Sequence, residues 1–338
     1  MANYINAYQN QAQYDSDDTK QYPNVSLLKD SGTIVHKKEA PKPYLTFVAE
    51  EAGTFKFSGN SVNYSVDDGE TWTTLASDTN SPTVPVGGKI MFKAELTPTS
   101  NGIGRFSSTG RFTTQGNPMC LLFGDYFVDQ TSLSGKNNAF KGLFYGCTGL
   151  TSAENMSLPV TTLPIYCYEY MFNGCTSLTT APALPATTLA GYCYEEMFNG
   201  CTSLTTAPAL PATTLASYCY SGMFKGCTSL TTAPSLPATA LTDGCYSTMF
   251  MGCTSLTTAP FLPAITLNSS CYYQMFESCT NLISITCLAT NIAPINCTSG
   301  WVSYIKTSGT FYKHPSMTDW TTGSSGIPQN WTVQDYQA

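Results

Sequence analysis

In the second half of the chain, apolar and polar positions repeat on a fixed period. The phrase SLTTAPALPATTLAGYCYEEMFNGCT, beginning at Ser177, returns almost unchanged from Ser203. One cysteine column falls at Cys175, Cys201, Cys227, Cys253 and Cys279, with steps of 26 residues. A second falls at Cys167, Cys193, Cys219, Cys245, Cys271 and Cys297, again with steps of 26. Within one copy the apolar positions are Leu184, Leu189, Cys193, Met197, Phe198, Cys201 and Leu204. From Leu189 they recur at i, i+4 and i+8, which predicts a short helix or 3₁₀ turn. Pro182 and Pro185 bar a helix from the other half, so TTAPAL reads as extended. One extended run, a turn and a helical return make one coil.

A single coil exposes both its faces and cannot bury its own apolar side chains. Repeats of this length therefore predict a solenoid, in which neighbours cover one another. Terminal repeats should be atypical. The step from Cys147 to Cys175 is 28 residues, and Cys120, Leu121, Leu122, Phe123, Leu133, Phe140, Leu143 and Phe144 supply an apolar cap before it. After Cys279 the phrase decays. Cys287, Cys297 and Trp301 keep part of the register, and the runs SGTFYKH and GIPQNWTVQDY predict a closing cap of short strands.

The first half has a different rhythm. YLTFVAE, GTFKFSG, SVNYSVD, TWTTLAS and KIMFKAEL alternate β-branched and aromatic residues between turn residues. They predict a small β-sandwich over residues 41–126. Within it, Ser65, Asp67, Gly69, Thr71 and Trp72 match the Asp-box S-x-D-x-G-x-T-W, a structural hairpin turn rather than a catalytic motif. Residues 1–40 are polar and have no core of their own. Their aromatic and apolar residues, Tyr14, Tyr22, Pro23, Val25 and Leu27, suit an extended segment that docks against a partner. A disordered leader is the alternative.

Composition narrows the partners. Only 11% of residues are charged, the net charge is −7 and no basic run exists to neutralise phosphates, which disfavours nucleic acid as a partner. No apolar run is long enough to span a membrane. The first residues, MANYINAYQN, lack a basic and then apolar signal sequence. That favours synthesis and assembly in a host cytoplasm, where thiols stay reduced. The fourteen cysteines then read as free, buried ladders rather than disulfides, although stacked columns lie near bridging range. The spacing is no zinc pattern, and no metal or cofactor is expected.

The pattern MFxGCTSLTxAPxLPxTTLxxxCY resembles the BspA-like leucine-rich repeat, a family of bacterial surface adhesion modules. The resemblance covers roughly residues 133–338. It implies a leucine-rich-repeat ladder whose exposed surface binds a protein or glycan. With this N-terminal region, and its YPNVSLL run, the chain also resembles structural proteins of tailed phages of gut bacteria. The chain then reads as multidomain. An N-terminal extended anchor (1–40) precedes the small β-sandwich (41–126). A C-terminal leucine-rich-repeat solenoid of 26-residue coils (127–300) and a β cap (301–338) follow.

Catalytic chemistry is sparse. The histidines, His36 and His314, lie in different regions, and no phosphate loop, HExxH or GxSxG occurs. Variation between copies is more informative. The SLTTAP and MF-x-GCT words barely change, whereas the positions of Glu195 and Glu196 become Tyr273 and Gln274 in the last copy. Tyr166, Tyr192 and Tyr218 form a column beside them. These seven residues are the candidate ligand-facing stripe, with ordinary solvated drift as the alternative. The expectation is a non-enzymatic virion fibre on the particle surface, attached to capsid or tail proteins, head favoured over tail. By resemblance it is a homotrimer and binds a host surface protein or glycan. A bacterial cell-surface adhesin and a passive capsid decoration protein are the alternatives.

Overall fold

A computed structural model describes residues 26–30, 33–37, 42–318 and 320–337. The chain divides into two units, Met1–Lys42 and Pro43–Ala338. In the first, β1 (Ser26–Asp30) and β2 (Thr33–Lys37) pair antiparallel, with Leu27 opposite His36. The other candidate anchor residues, Tyr14, Tyr22, Pro23 and Val25, lie outside the described residues.

The second unit begins with short strands whose inward residues are phenylalanines. β3 (Leu45–Ala49), β5 (Val62–Ser65), β6 (Thr73–Leu75), β7 (Lys89–Lys93) and β9 (Phe112–Gly116) form one sheet, in the order β9-β3-β7-β5-β6. β4 (Phe55–Ser58) and β8 (Arg105–Ser108) form a separate pair. Phe55 and Phe106 from the pair meet Phe47, Phe92 and Phe112 from the sheet, at ring centroids of 4.8 to 5.3 Å. All five rings are buried. Two sheets with one shared apolar interior make the small sandwich, each ring contributing about 1.5–3 kcal/mol of burial. The Asp-box turns between β5 and β6 as a hairpin. Ser65 Oγ donates to Asp67 Oδ1 at 2.6 Å, the Thr71 amide donates to the same oxygen at 3.0 Å, and Gly69 takes φ +87°.

The sandwich sheet continues into the repeats. β10 (Leu150–Met156), in the first coil, adds in parallel to the free edge of β9. Phe144 of that coil stacks on Phe106 and touches Phe47, both at 5.8 Å. The repeats thus start on a ready-made apolar surface. Between sandwich and first coil run α1 (Cys120–Phe123) and a 3₁₀ turn (Gly124–Asp129), the only helical backbone among the described residues.

The predicted helical return is not a helix. Residues 165–175 and their equivalents form a ribbon of consecutive β-turns. Every second amide closes a turn within its coil: Glu169 to Tyr166, Met171 to Tyr168, Asn173 to Tyr170 and Cys175 to Phe172. The intervening amides reach the next coil: Tyr168 to the Cys193 carbonyl, Tyr170 to Glu195, Phe172 to Met197 and Gly174 to Asn199. Each amide from Tyr168 to Cys175 is thereby satisfied, which is what lets the ribbon lie against a buried core. Side chains alternate two in and two out: Cys193 and Tyr194 are buried, Glu195 and Glu196 half-buried, Met197 and Phe198 buried again. That alternation has a period of four, near enough to the helical 3.6 to give the same apolar spacing.

The inward positions stack as columns through successive coils. Phe144, Phe172, Phe198, Phe224, Phe250 and Phe276 lie ring on ring at 5.4 to 5.8 Å, with interplanar angles of 10° or less. A second stack runs from Phe140 through Tyr168, Tyr194, Tyr220, Tyr246 and Tyr272 to Trp301. Each neighbouring pair adds about 0.5–1.5 kcal/mol beyond its buried area. All fourteen cysteines are unpaired and buried. In one column each thiol donates to a phenylalanine carbonyl of the preceding coil, as Cys201 does to Phe172 at 3.1 Å. Away from the ribbon, the extended segments meet in short parallel bridges, Thr206 with Thr232 between TTAP runs and Thr188 with Thr214 between the TTL runs that follow them. The architecture is therefore mostly non-helical, with several sheets and repeating cysteine and aromatic columns, an arrangement compatible with a β-rich solenoid.

The coil phase persists into the C-terminal region. β11 (Ser284–Cys287), β12 (Thr310–Lys313) and β13 (Thr332–Asp335) form a parallel sheet in which Ser284 pairs with Thr310 and Thr310 with Thr332. Trp301 occupies the position of the inward methionines. It covers both Tyr272 and Phe276 at 6.1 Å, and its indole donates to the Gly326 carbonyl at 2.8 Å.

Candidate functional site

The outward pairs of the turn ribbon put the candidate residues on one side of the stack. A run of turns needs a left-handed residue at every fourth position, and Tyr166, Tyr170, Gly174 and their equivalents supply it. Tyr166, Tyr192 and Tyr218 hold φ of 57° to 60°, Glu196 and Gln274 hold 48°. For residues with a Cβ this backbone costs about 1–2 kcal/mol each, where glycine would cost little.

The three tyrosines are brought together. Tyr166 and Tyr192, then Tyr192 and Tyr218, stack at 5.0 Å between ring centroids. Both ends of this stack are closed. The Lys141 ammonium lies 5.3 Å from the Tyr166 ring, and the Tyr218 ring lies across Gly244. The ring faces are thus turned to one another, to a cation at one end and to Gly244 at the other. What the column presents outward is a row of ring edges and phenol oxygens, suited to hydrogen bonding and edge contacts.

Glu195 and Glu196 lie one outward pair further along the coil of Tyr192, and they do different things. Glu196 accepts from Asn199 Nδ2 at 2.7 Å and from Asn173 Nδ2 of the preceding coil at 3.2 Å. Glu195 continues a charged column that starts at Lys141 and passes through Glu169. Lys141 Nζ sits 2.8 Å from Glu169 Oε2, and the Glu169 residue is only 4% exposed. Burial, followed by the negative charge of Glu169 and Glu196, pushes the Glu195 carboxyl up to about 7, against a smaller opposing pull from Lys141. Tyr170, wedged among the same carboxylates, is raised by burial and then by Glu195, Glu169 and Glu196. Tyr273 and Gln274 share the columns of Glu195 and Glu196 but lie three coils away, where Gln274 packs over Gly300.

Lys141, Asn173 and Asn199 complete the cluster without standing in the predicted stripe. Lys141 is hidden by the irregular first step: it precedes Glu169 by 28 residues rather than 26. Two other features bear on chemistry. A shallow groove of about 460 Å³ runs along the proline face, lined by Pro182, Leu184, Pro185, Pro208 and Pro211. Among the described residues, no group of three or more histidine, cysteine, aspartate or glutamate side chains is arranged to hold a metal ion. Nor, among them, is any helix long and apolar enough to cross a membrane. Compared with known proteins, the chain matches no family model, no curated protein and no solved structure.

Proposed function

We propose that this chain is a binding protein of the leucine-rich-repeat type, carried as a fibre on a virion and using its turn ribbon to attach to a host surface. The observation that carries this reading is a contrast within the repeats. The inward columns of cysteine, methionine and phenylalanine barely change, whereas the outward pairs change from coil to coil, from Tyr170 to Glu196 to Gly222 to Thr248 to Gln274. A stack under selection for stability alone would put glycine at each of these left-handed positions. Four of the five instead carry side chains with polar heads, Tyr170, Glu196, Thr248 and Gln274, in rows set by the coil spacing. The partner is a host surface protein or glycan, met by tyrosine edges and hydroxyls together with the Glu196–Asn173–Asn199 cluster. The N-terminal segment attaches to capsid or tail proteins, head favoured, and the assembled fibre is a homotrimer.

The test has two arms. Mass spectrometry of purified particles should find the chain, and its absence would move the reading to a bacterial surface adhesin. The full-length protein should bind host cells or a glycan array. Tyr192→Ser and Glu196→Gly should weaken that binding on the order of ten-fold each, as loss of a contact residue does. Binding unchanged by both substitutions would remove the ribbon from the reading, and no binding at all would leave a decoration protein.

A further inference from the structure

Lys141, Glu169 and Glu195 occupy one outward column in three successive coils. The backbone shows the succession directly: Gly142 donates to the Glu169 carbonyl at 2.8 Å, and Tyr170 donates to the Glu195 carbonyl at 2.9 Å. Like charges placed directly opposite on neighbouring rungs repel, and here one cation serves two carboxyl groups. Lys141 is committed to Glu169. Beyond Glu195 the column turns neutral, with Ser221 and Ser247. Glu195 therefore faces Glu169 on one side and an uncharged serine on the other, with Glu196, Tyr170 and Tyr192 as its remaining titratable neighbours. A second carboxylate in that half-buried place has only the weaker pull of the same Lys141 to offset its charge.

We propose that Glu195 holds a proton in the folded stack and donates it to the Glu169 carboxylate in a hydrogen bond, so that losing this proton loosens the seam among the first three coils and makes it a pH-sensitive joint. The proton leaves to solvent and the two carboxylates then repel across the seam. The amide of Tyr170, which bonds the Glu195 backbone, is the nearest reporter. The raised Glu195 carboxyl agrees with this arrangement. The proposal concerns the stack itself and stands apart from whatever the ribbon binds.

The sign follows from linkage. An acid whose folded pKa exceeds its unfolded one stabilises the fold least once it is ionised. Stability should fall as pH rises from the ordinary carboxyl range, about 4.5, to about 7, and level off above that. Hydrogen exchange of the full-length chain tests this, corrected for intrinsic rates, with the coil containing Tyr246 as internal reference. Amides of the Tyr170 and Tyr192 segments should lose protection relative to the reference on the order of five-fold between about pH 5.5 and pH 8. Glu195→Ser, which installs the residue found at Ser221 and Ser247, should abolish that difference. A pH response that persists in the variant, or one shared equally by the reference coil, overturns the proposal. Carbon-13 NMR of labelled glutamate carboxyls in the unaltered chain is the second measurement. One carboxyl should titrate near 7, and a full set titrating below about pH 5.5 overturns the proposal whether or not the variant folds.

Discussion

The ring of Tyr218 lies across Gly244, the next residue of its own column, and there closes the tyrosine stack. Gly244 holds φ +58°, and a Cβ built on it would collide with the Tyr218 ring. The glycine is thus needed twice, for its backbone and for the space above it. Gly244→Ala should displace Tyr218 and cost about 1–3 kcal/mol through overpacking and left-handed strain. Gly191 supplies the control, because its Cβ would lie 3.4 Å from the nearest atom, the Ser217 carbonyl oxygen. Gly191→Ala should be near neutral in the same chemical denaturation series.

Thr248 tests the strain argument in the opposite direction. It is β-branched and holds φ +52°, where the equivalent positions in other coils carry Gly222 and Gly300. Thr248→Gly should stabilise the chain by about 1 kcal/mol, because the left-handed cost disappears. A loss of stability would mean that the threonine side chain makes contacts outweighing that strain.

The phenylalanine column should behave as one unit. Phe198 is fully buried between Phe172 and Phe224, at 5.4 and 5.7 Å. Phe198→Ala should cost about 3–5 kcal/mol, as a large core truncation does. Hydrogen-exchange protection should fall first in the coils on either side of it.

The Asp-box hairpin has its own acid dependence. Hydrogen bonds from Ser65 and Thr71 hold the Asp67 carboxyl down at about 2. A depressed carboxyl stabilises the fold above its unfolded value and loses that contribution as pH falls. The Trp72 fluorescence, reporting on this hairpin, should therefore change between about pH 4 and pH 2. Asp67→Asn should remove that step.

Much of this architecture is legible in the sequence, and the failures have physical causes. The 26-residue step alone names the columns, because a stacked coil must repeat its inward residues at the same phase. Trp301 can be placed for the same reason, one step beyond Met275. The helical return misleads because a ribbon with two residues in and two out mimics helical spacing. A correcting signal is present. Gly142 and Gly146, or Gly222 and Gly226, lie four apart at the left-handed positions, where a helix would tolerate neither well. The carboxylate column is partly hidden by the longer first step, which puts Lys141 out of phase. That the tyrosine faces stack on one another follows from coil spacing and not from residue identity, so the column's tyrosines could be named from the sequence but not their orientation.

Thiol counting tests the central physical claim, that near-identical coils lie on one another and bury their cysteine columns. Burial pushes Cys120, Cys227 and Cys279 up to about 12, and their stacked positions deny a reagent access. An alkylating reagent applied to the native chain without reductant should label none of the fourteen cysteines, and should label all fourteen once the chain is unfolded. Several thiols labelled in the native chain, or fewer than fourteen in the unfolded one, would contradict the account.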